Sequence, residues 1–265
     1  MIKTSLKKTL LIIKKNKYQI FLIFFLQIIF FITLSLIFYN TINPAMQHAK
    51  NAVDYYDKIN TTEDSGMFGY LGEDPLVIYE SYSKMMFYLK FMALFSVLVF
   101  IIINGLLWTL SDNLLNKKNL KQSSNYFTNF GILTLIFTAL VYLLIFKTLK
   151  SSLVKLEYSL LPLIGILFLF IVLLYFLFIS FSLIDKRRLK DIFRLTFKIG
   201  IFKFPYVILV FLIYLFVILL FSYFLYLVIE GNIIILSIVL ILFVFSFVFA
   251  RLFLIVSIDG LVRKN

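Results

Sequence analysis

The stretch DKRRLKDIFRLTFKIGIFK, residues 185–203, decides how this chain must be read. It carries seven of the 26 Lys and Arg residues, and an almost purely apolar run flanks it on each side. Hydrocarbon cannot host such a segment, and water cannot host its neighbours. The stretch therefore marks a membrane surface, and its charge marks the cytoplasmic one.

Working outward, the rest of the chain has the same character. It has 265 residues, is 62% hydrophobic with 33 Phe, and has a mean hydropathy of +1.02. Soluble domains are about 45–50% apolar, so there is too little polar surface here to cover a water-soluble globule. The net charge of +13 does not point to nucleic acid. The basic residues fall at the ends of apolar runs and form no basic domain of their own. Cysteine is absent, which excludes disulfides, thiolate chemistry and Cys-bound zinc.

Six apolar runs predict spanning helices: 18–39, 86–110, 130–148, 159–184, 204–229 and 233–256. At about 1.5 Å per residue, each reaches across a hydrocarbon core roughly 30 Å thick. Helix is the form that satisfies every backbone group within such a run. The first run exceeds the roughly 7–15 residues of a signal-peptide core, so it is expected to be a retained helix. The expected fold is an all-α, polytopic membrane bundle of six transmembrane helices in a single domain, 1–265.

Charge sets the orientation. The ends 1–17, 111–129, 185–203 and 251–265 hold 19 Lys and Arg with four acids. The ends 40–90, 147–158 and 230–232 hold seven Lys with nine acids. The positive-inside rule then places both termini in the cytoplasm of a multi-pass cell-membrane protein. A Leu-Lys pair opens a polar or amphipathic lead-in before each helical hairpin: Leu6-Lys7, Leu120-Lys121 and Leu189-Lys190. This layout suggests three amphipathic-helix-plus-hairpin repeats. In the first lead-in, Leu6, Leu10 and Ile13 recur at helical spacing among lysines, the pattern of an interfacial helix.

The 40–85 segment is expected to be an acidic outer loop. Asn43-Pro44 reads as an N-cap with proline at the first helical position, starting a short helix faced by Ala45, Ala49 and Ala52. Gly66, Gly69 and Gly72 mark an irregular middle, and Asp74-Pro75 repeats the start signal before the second span.

The candidate site residues are few. Arg251 lies eighteen residues into the last run, about 27 Å along it. A charge there needs a partner, or must reach to the inner headgroups. Asn104 in the second run and Asp185 at the end of the fourth are partners of suitable depth, as is a lipid phosphate. Gln27 is a polar group in the first run and reads as interhelical glue. These four form the expected intramembrane polar cluster. Lys186, Arg187, Arg188, Lys190, Arg194 and Lys198 form the expected interfacial basic segment. His48 is the lone histidine and reads as a surface residue.

No carboxylate lies deep inside a run, and all four prolines sit near expected helix starts. The marks of an ion-coupled carrier are therefore missing. No zinc, nucleotide or nucleophile-elbow motif is present. No catalytic, cofactor-binding or metal residue is expected. The leading expectation is a non-catalytic membrane component that binds membrane lipids or a protein partner. The alternative is a permease-like subunit for a hydrophobic or lipidic solute.

The opening SLKKTLLIIKKNKYQIFLIFFLQIIFF and the closing ARLFLIVSIDGLV resemble uncharacterised prokaryotic six-helix proteins near the glycerophosphodiesterase membrane-domain type. The shared features are the Lys-rich lead-ins and a late Arg, here Arg251, followed by an acid, here Asp259. No phosphodiesterase sequence accompanies them, so the resemblance implies a membrane domain without an established activity.

Overall fold

The computed structural model describes residues 2–61, 76–117, 119–155, 160–184 and 189–262. It is all-helical, with no strand among the described residues. The elements are α1 (Ile2–Lys15), α2 (Lys17–Thr61), α3 (Leu76–Val99), α4 (Gly105–Asn116), α5 (Leu120–Lys155), α6 (Leu160–Leu183), α7 (Leu189–Phe202), α8 (Phe204–Val228) and α9 (Ile233–Val262). A π turn, Phe100–Asn104, joins α3 to α4 without a break. Six helices are long and apolar enough to cross a bilayer.

The helices pack as two compact units. The first comprises Met1–Ile28 with Ile101–Asn265, and the second is Ile29–Phe100.

In the first unit α9 is the central pillar. From Ala250 to Ile258 every residue is buried, so neighbours cover the whole circumference. A helix that is apolar all round belongs in a protein core or in a membrane span. Here α1, α4, α6 and α8 surround it. Its first turn is capped by Asn232, whose Oδ1 accepts the Ile234 N–H at 2.8 Å. Pro205 enters α8 in the first turn, where its missing N–H costs nothing.

Two lead-ins form their own helices. α1 buries Ser5 and Thr9 and packs on α9, leaving Leu10 and Leu11 exposed. The face turned to the protein carries Ser5 and Thr9 with half-buried Ile2, Leu6, Ile12 and Ile13, while all five lysines of the helix are exposed. α7 folds back along α6: Thr196 meets Ser180 at 3.0 Å, and the Tyr175 hydroxyl donates to the Gly200 carbonyl at 2.9 Å. The second lead-in is not separate, because α5 is helical from Leu120 onward. Residues 120–129 contain no Pro or Gly to stop the helix, and Tyr126 and Phe130 are buried. The turn before it closes through Lys117, which adopts a left-handed φ of 45° and donates its N–H to Asn113 O.

In the second unit α2 continues through Pro44 to Thr61, which corrects the expected helix start at Asn43-Pro44. The buried stripe explains the continuity. Phe30, Thr41 and Ala45 keep one helical phase across the proline. A tertiary face in phase thus outweighs the roughly 3 kcal/mol cost of an interior proline. His48 stacks on Tyr88 with ring centroids 5.9 Å apart. The helix of the second run begins at Leu76; the glycines at 66, 69 and 72 and Asp74-Pro75 lie outside the described residues.

Candidate functional site

Three polar residues from three apolar segments meet inside the first unit. Arg251 on α9 donates from Nη2 to Gln27 Oε1 at 2.6 Å and to Asn104 Oδ1 at 3.2 Å. All three are buried, with exposures of 6%, 1% and 7% for Arg251, Gln27 and Asn104. The guanidinium also stands 5.9 Å from the centroid of the Trp108 ring. Trp108 is held in turn by Phe181, 5.3 Å away.

Local structure explains the convergence. On the α1–α2 segment the buried face runs through Ser5 and Thr9, then through Ile20, Ile23 and Gln27 at intervals of three and four, the two stretches separated by eleven residues, about three turns. Asn104 ends the π turn, which fits one more residue into the turn than an α-helix does. Asn104, Trp108 and Asp112 then share one buried face at four-residue spacing. Gly105 lets α5 approach: a Cβ there would stand 3.0 Å from a Phe127 ring carbon. Gln27 precedes the point where the chain leaves the first unit, between residues 28 and 29, and Asn104 follows the point of return at 101. Arg251 ties both segments to the pillar.

The electrostatics follow from the inventory. A guanidinium stays charged, and a buried charge must be hydrogen-bonded. Two amide oxygens and the negative face of an indole supply that without any carboxylate. Nη1 has no hydrogen-bond partner among the described residues. None of Gln27, Asn104 or Trp108 can exchange a proton in the working pH range. The cluster can hold segments together; it offers no general acid or base.

Asp185, the other expected member, lies outside the described residues, as do Lys186, Arg187 and Arg188 of the basic segment. Lys190, Arg194 and Lys198 are exposed along α7. The opposite face of α7, with Ile192, Thr196, Ile199 and Gly200, is buried on α6. Gly200 permits that contact, since a Cβ would come 2.7 Å from a Phe176 ring carbon.

Tyr126 was not legible as important. Its hydroxyl donates to the Phe181 carbonyl at 2.6 Å, satisfying a carbonyl in the last turn of α6. The only signal was a lone aromatic within a polar lead-in. Towards the chain end, Asn116 Nδ2 donates to buried Asp112 at 3.0 Å, and Lys8 lies 4.0 Å from Asp259. No group of His, Cys, Asp or Glu among the described residues is arranged to hold a metal ion. No family model, curated protein or solved structure matches the chain.

Proposed function

We propose that this is a multi-pass protein of the cell membrane, with both termini cytoplasmic, that acts as a non-catalytic component binding lipid or a partner protein. The observation that carries this reading is the make-up of the Arg251 cluster. The buried Arg251 guanidinium is met by two neutral amides and an indole, and the buried carboxylate two turns along from Asn104, Asp112, is engaged by Asn116 and not by the arginine. Proton- and ion-coupled carriers keep a titratable group at such a place. Here the polar interior is suited to cohesion between helices. The distribution of 19 against seven basic residues supports the orientation. The layout shared with the glycerophosphodiesterase membrane-domain type is in keeping with a membrane domain that lacks its own catalytic machinery.

Purification in mild detergent, followed by mass spectrometry of everything retained, tests the reading. A lipid or protein held in fixed ratio to the chain is the expected result. A chain that emerges bare and remains folded would contradict it.

A further inference from the structure

α7 is a helix with two unlike faces and two unlike ends. Its inward face, Ile192, Thr196, Ile199 and Gly200, is committed to α6. At 3.6 residues per turn, Lys190, Arg194 and Lys198 lie on the side directly opposite. All three are exposed. Asp191 in the first turn is the one acid on the helix. Towards α8 most exposed side chains are apolar: Phe197, just before Lys198, is 50% exposed, Ile201 60% and Phe202 76%, and exposed Lys203 follows them.

The contacts with α6 give this sequence of side chains a direction. Thr196 is level with Ser180, and Gly200 with Tyr175 and Phe176. α7 therefore runs antiparallel to the last turns of α6. Its Gly200 end lies about eight α6 residues back from Ile184, roughly 12 Å along the axis. Lys190 and Arg194 occupy the end of α7 near the terminus of α6, whereas Lys198 lies between the Thr196 and Gly200 contacts, among the exposed aromatic and aliphatic side chains alongside the apolar body of α6.

We propose that this outer face of α7 binds anionic phospholipid, with the headgroup phosphate on Lys190, Arg194 and Lys198 and the acyl chains against Phe197, Ile201 and Phe202. The inference rests on the reading of the chain as a lipid- or partner-binding membrane protein and names the ligand. Three cations at four-residue spacing complement a layer of phosphodiester charge. Lys190 and Arg194 come first and Ile201 and Phe202 later, the order of headgroup then acyl chain met by a helix that enters a leaflet obliquely, and Lys198 and Lys203 have stems long enough to reach back towards the phosphates. An acidic soluble protein would satisfy the cations but would leave Ile201 and Phe202, level with the body of α6, uncovered.

The test uses the full chain in nanodiscs of equal phosphatidylglycerol and phosphatidylcholine, with native mass spectrometry of the lipids retained on ejection. Wild type is expected to retain phosphatidylglycerol in preference. Each cation near an anionic surface contributes about fivefold in affinity, so the triple variant Lys190→Gln, Arg194→Gln, Lys198→Gln should lose about a hundredfold of that preference. The matched variant Lys50→Gln, Lys84→Gln, Lys90→Gln should keep it. Should the triple variant fold poorly, Arg194→Gln alone should lose about fivefold and Arg194→Lys little. Equal retention by wild type and the α7 variants would overturn the assignment while leaving the broader reading intact. An acidic protein bound to wild type and lost from the triple variant would overturn the lipid assignment in favour of that partner. A wild-type chain with neither lipid nor partner would overturn both readings.

Discussion

Arg251 Nη2 lies 2.6 Å from Gln27 Oε1, a hydrogen bond between residues 224 positions apart in the chain. It joins the start of the fold to its last helix inside a largely apolar interior. Removing either partner strands the other. Arg251→Leu and Gln27→Leu should each cost about 2 kcal/mol, the scale of a hydrogen bond to a charged group. The double variant should cost less than their sum, with a coupling between about 0.5 and 3 kcal/mol. Reversible unfolding in mixed micelles measures all three. Strict additivity would mean that the contact carries no stability.

Gly200 predicts a steric effect at the α6–α7 contact. An alanine methyl would stand 2.7 Å from the Phe176 ring, which itself packs 4.9 Å from the Phe197 ring. Gly200→Ala should cost about 1–3 kcal/mol through overpacking. Adding Phe176→Leu should restore part of that loss. The same unfolding assay reads both, and a neutral Gly200→Ala would show that the two helices separate freely.

Tyr126 predicts a polar effect without a change in volume. Tyr126→Phe removes the donor to the Phe181 carbonyl and leaves that carbonyl buried. A loss of about 1–2 kcal/mol is expected. Thermal melting of the two proteins in the same detergent tests it.

Lys117 predicts a gain. It ends α4 in the left-handed region, with φ 45° and ψ 57°, where side chains other than Gly and Asn are disfavoured. Lys117→Gly should raise stability by about 0.5–1 kcal/mol, because its N–H to Asn113 O bond needs no side chain. A melting temperature that falls would contradict this account of the turn.

How far the sequence reveals the molecule depends on the kind of interaction. Apolar runs of bilayer length are a signal no other structure competes for, and each of the six became a helix suited to crossing a bilayer. Their ends were less legible, because helices outrun apolar segments. α2 passes Pro44 on the strength of a stripe through Thr41 and Ala45, and α5 begins ten residues before Phe130 on the strength of Tyr126. Depth made Arg251, Asn104 and Gln27 conspicuous, because polar side chains are rare in such runs. Their joint hydrogen bonding depends on a π turn and on the phase of three segments, which one sequence does not display. Gly200 and Trp108 escaped for the same reason: close approach belongs to pairs of helices.

The whole account depends on which side of a membrane each end of each helix occupies. The absence of cysteine makes this directly measurable, since any introduced thiol is the only one present. Single cysteines at the exposed positions Lys14, Leu120 and Lys190, and at Lys50 and Asp54, can be challenged with a membrane-impermeant thiol reagent. Labelling of the Lys50 and Asp54 variants in intact cells, with the Lys14, Leu120 and Lys190 variants labelled only after permeabilisation, is the predicted result. Labelling of the Lys190 variant in intact cells, or both groups reacting from one side, would contradict it.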